Sequence, residues 1–369
     1  MQKIARYLLQ DKILVVSASC ACIGLTCGRP QMSDINWSTI ENLFSLMVCV
    51  QILQSFQILN TCSSQMLHHS ANTRQICRLF ILLAFFSAMF LTNDVAILTL
   101  VPMFINLAQQ QKIETAYPLT LIVIAANLGS ALTPMGNPQN LFLINFYHLN
   151  ITTFFKLAAP LAGASFILLM FFCTFLPNQP IITHHRNKKV IKWPAWLLAG
   201  GLIAINLGGI FNLVPKQMAV IVTVVCGWII DRQIYQRLDY ALLLTFVCFF
   251  IFVSELNHNQ AITQAIQALI QSPAAVYLLG LITSQFISNV PTVILLAKFT
   301  QAVPALFLGV NIGGLGSIVA SLANLLALKQ LIQLNKTTQI RVFIKVFTWV
   351  NFLSLLILGI LGFFYLQWR

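Results

Sequence analysis

The chain has 369 residues, 58% of them hydrophobic and only 8% charged, with a formal net charge of +13. Soluble domains carry about 25% charged residues, so the composition excludes a water-soluble globular enzyme and points to a polytopic membrane protein. The positive balance is no sign of nucleic acid. The basic residues sit in short loops beside apolar segments, as orientation in a bilayer requires, and no basic stripe interleaves with aromatics.

The apolar segments have the length that helices need to cross a hydrocarbon core of about 30 Å. They lack the period-two alternation of an outer-membrane barrel. The first, 13–28, follows Lys3, Arg6 and Lys12. A cleaved signal peptide and a first membrane helix share this shape; the membrane helix is the reading adopted, and Ser17 three residues before Cys20 argues against a lipoprotein. A second span covers 40–59. A polar arm, 60–78, holds His68, His69, Arg74 and Arg78.

The next apolar stretch, 79–109, contains "FLTNDVAILT", Phe90 to Thr99. It is too long for one span and too short for two, with halves of about 13 residues. A re-entrant hairpin is expected, with Thr92, Asn93 and Asp94 at its tip. Irregular backbone at that depth is tolerated only where protein or a cavity surrounds it. Span 115–146 contains "NLGSALTPMGNPQNLF", from Asn127 to Phe142. Gly129 and Gly136 weaken a helix there, and Pro134 and Pro138 each remove a backbone donor. Two half-helices joined by an unwound stretch are expected.

Spans 154–176, 195–213, 217–230 and 240–255 follow, then an amphipathic arm, 257–272, with Ile262, Ile266, Leu269 and Ile270 on one face. A second interrupted stretch, 273–303, is broken at Ser288, Asn289 and Pro291. Span 304–328 is interrupted by Gly313, Gly314 and Gly316, and 343–366 is the last. The reading is an all-α polytopic membrane protein with about nine transmembrane helices, two re-entrant hairpins and two broken helices.

Loop charge orients it. Lys112, the run His184 to Lys189, Lys192, Arg232, Arg237, Lys329, Lys336, Arg341 and Lys345 all fall on the side of the N-terminus, while 147–153 and 256–272 contain no Lys or Arg. The positive-inside rule makes that side cytoplasmic and the C-terminus periplasmic, with the hairpins entering from opposite faces. The two halves also align. "FLTND" matches "FISNV", so Asn93 matches Asn289. "NLGSALTPMGNPQNLF" matches "NIGGLGSIVASLANLL", with Asn127 and Asn140 separated as Asn311 and Asn324 are. The organisation is a first repeat over 1–176, a cytoplasmic loop and linking helix over 177–216, and an inverted second repeat over 217–369.

Broken helices leave amides and carbonyls without partners. Amides at a half-helix start suit an anion and carbonyls at an end suit Na⁺. The candidate solute site combines Thr92, Asn93, Asp94, Asn127, Gly129, Thr133, Pro134, Gly136, Asn137 and Asn140 of the first copy with Ser288, Asn289, Thr292, Asn311, Gly313, Ser317 and Asn324 of the second. The alternative is that these Asn, Ser and Thr only bind helices to one another; recurrence in both copies favours the site. Asp94 lies deep in an apolar stretch, where a carboxylate is a functional hypothesis by default. It has three open roles: Na⁺ ligand, proton carrier, or cap of the helix that follows.

The nine cysteines form no CxxC pair and are read as small buried hydrophobes. The His pairs at 68–69 and 184–185 are read as interfacial, not metal-binding. Lys298 either snorkels to the surface or contacts an anion. No nucleophile–base set marks an enzyme, and no cofactor is expected beyond a coupling ion, Na⁺ or H⁺.

"FLTNDVAILTLVP", "ANLGSALTPMGNPQNLF", "SNVPTVILLAKF" and the late "NIGG…ANLLAL" resemble the ion transporter superfamily of citrate and dicarboxylate/sodium symporters, arsenite/antimonite permeases and NhaD-type Na⁺/H⁺ antiporters, and within it the YbiR-type inner-membrane branch. The resemblance implies a homodimer in the bacterial inner membrane in which a mobile region moves like an elevator against a scaffold. It implies secondary active transport of a small inorganic or organic anion, with Na⁺ contacts at Asn93, Asn127, Asn289 and Asn311. Its dicarboxylate branch has Ser-Asn-Thr at both tips. Here the third positions are Asp94 and Val290, which leans toward the permease and antiporter branches. Na⁺/H⁺ antiport is the alternative, ahead of arsenite/antimonite efflux or a passive channel.

Overall fold

The computed structural model describes residues 12–24, 32, 35–57, 61, 70, 72–180, 193–258, 260–333 and 337–368. Lys3, Arg6, both His pairs and the basic run from 184 lie outside them. Sixteen α-helices and no strand are described, apart from one isolated bridge between Asn72 and Pro180.

The first helices are α1 (Lys12–Gly24) and α2 (Trp37–Ser55). α3 (Thr73–Leu91) and α4 (Asn93–Gln110) form the first hairpin. Its limbs have 19 and 18 residues, not the shorter halves expected. Asn72 caps α3 through Gln75 N, and the Arg74 guanidinium donates to Leu176 O at 2.9 Å. Those contacts carry the helix six residues into the arm that the sequence assigned to a polar connection.

The broken span is α5 (Ala116–Ser130) and α6 (Pro138–Tyr147), followed by α7 (Ile151–Phe172). Pro138 starts the second half-helix instead of ending the first. It occupies the first turn, where no amide donor is needed, behind the Asn137 cap. Next come α8 (Trp193–Ile210), α9 (Lys216–Ile230) and α10 (Tyr240–His258). The amphipathic arm is α11 (Gln260–Leu269), and the chain bends by 109° from it into α12.

The second hairpin pairs α12 (Pro273–Ile287) with the short α13 (Asn289–Ala297), and Lys298 caps α13's C-terminus. The second broken span is α14 (Val303–Gly313) and α15 (Leu322–Gln333), and α16 (Thr337–Trp368) closes the chain. Residues 73–91, 151–175 and 340–368 are long and apolar enough to cross a membrane by length and composition.

Packing divides the helices into two groups. α1 lies on α10, and α2 on α8 and α9. In the other group α3 packs on α5 and α12 on α14, with α7 and α16 each touching both α5 and α14. α4 crosses to α15, and α13 crosses to α6. The groups meet mainly where α2 touches α6 and where α10 touches α13.

Glycines permit the closest crossings. A Cβ on Gly129 would stand 2.0 Å from Phe85 O, and one on Gly309 would stand 2.7 Å from Tyr277 O. Small residues of this kind let helix backbones approach without a hydrophobic drive between them.

Candidate functional site

Both hairpins turn on a single hydroxyl residue in the same backbone conformation. Thr92 has φ 67° and ψ 151°, and Ser288 has φ 72° and ψ 155°. That region belongs to glycine, and a residue with a side chain held there costs about 1–3 kcal/mol. The surroundings hold the first tip: Asn93 N donates to Gly136 O at 3.0 Å, in the unwound part of the neighbouring broken helix. At the second tip Ser288 Oγ donates to Ala320 O at 3.4 Å. Thr92 and Ser288 therefore place Asn93 and Asn289 at the starts of α4 and α13, facing the two breaks.

The four asparagines of the broken helices bond reciprocally. Asn127 Nδ2 donates to Asn324 Oδ1 at 2.7 Å, and Asn311 Nδ2 donates to Asn140 Oδ1 at 2.9 Å. Asn140 Nδ2 also donates to the carbonyls of Ser130, Ala131 and Thr133 at 3.4, 3.1 and 3.1 Å. Asn324 Nδ2 does the same for Gly314 and Ser317 at 3.2 and 3.0 Å. Each unwound stretch is thus held by an Asn from the half-helix after it. Asn137 caps α6 through Asn140 N and donates to Asn311 Oδ1, while Ser321 Oγ donates to Asn127 Oδ1 from the matching position of the other copy.

The hydroxyls are similarly engaged. Thr133 Oγ1 donates to Met89 O and Ser317 Oγ to Gln285 O, tying each break to its own hairpin. Thr292 Oγ1 donates to Ser288 O at 2.8 Å. Gly136 and Gly313 are close approaches: a Cβ would stand 2.1 Å from Ser130 O in the first case and 2.8 Å from Ser284 Oγ in the second. Pro134 lies within the first break.

Two residues absent from the sequence reading belong to this frame. Gln285 Nε2 donates to Gly313 O and Leu315 O, and its Oε1 accepts from Ser317 N. Ser321 is the other. Ser321 was legible, because it aligns with Asn137 in the matched segments. Gln285 was not, because its counterpart is Met89.

The tips themselves differ from this saturated frame. Asn93 Nδ2 donates to Asn127 Oδ1 at 3.1 Å. A cleft of about 40 Å³ between the tips is lined by Asn93, Asp94, Gln139, Thr245, Ser288, Asn289 and Ser321, among others. A water needs about 10–15 Å³ on this measure, so the cleft suits an ion with a water or two and nothing larger. Asp94 lies on its wall. Asp94 Oδ1 is buried and has no hydrogen-bond partner. The cap of α4 is Thr92, through Val95 N, so the cap role proposed for Asp94 is filled by its neighbour. Its carboxylate still benefits from the first-turn amides of α4.

Asp94 and Thr92 also line a second cavity, of about 590 Å³, between α2, the start of α4, the loop before α10 and α15. Its volume is in the range of small-molecule sites, about 300–1,000 Å³. Its charged residues are Asp94, Asp239, Arg237 and Lys329. The site therefore has two compartments, ion-sized and molecule-sized, and Asp94 forms part of the wall of both.

Sequence comparison agrees with this architecture. Residues 11–306 match the family model described as citrate transporter, CitMHS. The chain is 30% identical over 300 residues to the inner membrane protein YbiR of Escherichia coli, covering 80% of each chain. It is 29% identical over 303 residues to an uncharacterized transporter of Methanocaldococcus jannaschii, covering 80% of this chain and 81% of that one. A silicon efflux transporter of Oryza sativa shares 33% identity over 102 residues, 27% of this chain and 21% of its own.

Proposed function

The chain belongs to the citrate transporter (CitMHS) family of multi-pass membrane transporters, and on that premise we propose that it is a secondary active transporter that moves a small anion across the bacterial inner membrane, coupled to Na⁺ or H⁺. The observation that carries this reading is the pair of compartments meeting at Asp94. The ion-sized cleft takes the coupling cation beside Asp94, Asn93 and Asn289. The larger cavity takes the anion. A cation in the cleft offsets the Asp94 charge, which otherwise repels an anion held in the adjoining cavity, and that is a direct physical basis for coupling.

The two halves act as an inverted repeat. The matched tip conformations and the reciprocal asparagine bonds support this, since the Asn127–Asn324 bond has its counterpart in Asn311–Asn140. The group containing both hairpins moves as an elevator against the scaffold of α1, α2 and α8–α10, in a homodimer. By loop charge, the larger cavity opens to the cytoplasm through Arg237 and Lys329.

Na⁺/H⁺ antiport is the second reading, favoured by the unpartnered, buried Oδ1 of Asp94. Proteoliposomes given a sodium jump with no added substrate anion separate the two. Under the anion reading no proton flux appears until an anion is added, and uptake of added sulfate or carboxylate then follows the imposed cation gradient in wild type but not in Asp94→Asn. Sodium-driven proton flux that Asp94→Asn stops establishes antiport instead. Absence of both fluxes removes the proposal.

Asn289→Ala is expected to abolish uptake, by at least about 100-fold, while gel filtration and thermal midpoint stay at wild-type values. Asn289 lines the cleft without bracing the breaks as Asn140 and Asn324 do. Asn93→Ala is expected to lose uptake as well and to cost some stability, because it also removes the donor to Asn127. Wild-type uptake in either variant would take that tip out of the site.

A further inference from the structure

The walls of the larger cavity are mostly hydrocarbon, and its four charged residues balance, Asp94 and Asp239 against Arg237 and Lys329. Of the 21 residues that line it, 13 are Leu, Val, Met or Pro, and four are charged. Leu322, Leu326, Lys329 and Gln333 form one stripe of α15, at spacings that place them on a single helical face. Leu322 also lines the ion-sized cleft, whereas Lys329 is exposed at the mouth. Seven residues of helix separate them, about 10 Å of rise. Arg237, 54% exposed and 3.6 Å from Asp231, joins Lys329 at the mouth. The apolar lining also includes Leu46, Val50, Leu98 and Leu326.

A strongly hydrated inorganic ion gains nothing from such a passage, since apolar walls offer no partner for the waters it loses. An organic anion with a carbon skeleton gains on both counts. Its carboxylate stays at the wet mouth beside the exposed Arg237 and Lys329, and its hydrocarbon lies on the leucine walls.

We propose that the larger cavity binds an amphipathic organic anion, a carboxylate with an apolar body of several carbons, oriented with its head toward Arg237 and Lys329. This inference deepens the transporter reading and rests on the cavity being the anion's place in it.

The test is equilibrium dialysis of radiolabelled acetate, butyrate and hexanoate against the full chain in nanodiscs, with protein-free nanodiscs subtracted. Each buried methylene is expected to tighten binding about four-fold, so hexanoate should bind more than 50-fold tighter than acetate. Leu98→Asn, on an exposed wall position, should flatten that series. Lys329→Gln should weaken all three by a similar factor, and Lys329→Arg should restore them. Equal binding of acetate and hexanoate, or a series unchanged by Leu98→Asn, overturns the inference. So does absence of all binding.

Sulfate uptake by the same preparation tells the two failures apart. A flat carboxylate series with coupled sulfate uptake sinks the amphipathic ligand and leaves the transporter. A flat series with no cation-coupled uptake of sulfate or of any of the three carboxylates sinks both.

Discussion

Gly129→Ala is expected to yield no monodisperse protein on gel filtration, while Gly163→Ala is expected to match or slightly exceed wild type in thermal midpoint. Both glycines are helical, in α5 and α7, and on propensity alone alanine gains about 1 kcal/mol at each. Their surroundings reverse the sign at one of them. A Cβ at Gly163 meets nothing within 4 Å, so the gain is kept. A Cβ at Gly129 stands 2.0 Å from Phe85 O and 2.8 Å from Phe85 Cα. Those atoms are backbone of α3 and cannot rotate aside. Relief requires α3 and α5 to separate, which pulls Thr133 from Met89 O and moves the Thr92 tip that follows Met89 by three residues. Overpacking commonly costs about 1–3 kcal/mol where side chains can adjust, and a backbone clash exceeds that range. Gly136→Ala, 2.1 Å from Ser130 O, is expected to fail for the same reason. A Gly129→Ala protein that purified normally and transported would mean that the α3–α5 crossing is looser than its geometry requires.

The sequence announced this crossing only partly. Polar residues within apolar stretches marked the tips and the breaks, because such residues are costly in lipid without partners. The equal spacing of Asn127 to Asn140 and Asn311 to Asn324 matched the two broken helices to each other. What the spacing did not reveal was who bonds to whom. Asn-x-Gly can supply ligands for a solute or braces; its recurrence favoured the ligands, whereas the bonds that brace the breaks run to residues far away in sequence. The limb lengths were also misread. Arg74 and Arg78 look like the end of a membrane segment, but a carbonyl at Leu176 receives Arg74 and the helix continues past both. The small-residue pattern at Gly309 and Gly313, four apart on α14, was a legible sign of a close crossing, and Ala125 with Gly129 repeats it on α5.

Asn140→Ala is expected to lower stability by more than about 3 kcal/mol, and Asn324→Ala by less. The difference follows from the carbonyls each amide satisfies. Asn140 Nδ2 directs its two hydrogens to Ala131 O and Thr133 O and lies 3.4 Å from Ser130 O as a shared third contact, and its Oδ1 accepts from Asn311. The side chain is fully buried, so no water replaces it. A buried acceptor left unpaired costs about 1–3 kcal/mol. Asn324 serves two, and Gln285 independently holds Gly313 O and Leu315 O in the same stretch. The double variant Asn324→Ala/Gln285→Ala should therefore fall to the level of Asn140→Ala alone. Thermal midpoints of the purified variants, read beside uptake, test this ordering. If Asn140→Ala kept a wild-type midpoint and lost transport, Asn140 would be a solute ligand and the bracing role would be wrong. If both fell together, loss of uptake would say nothing about ligands at this position, and the solute site would contract to the residues facing the cleft: Asn93, Asp94, Ser288 and Asn289.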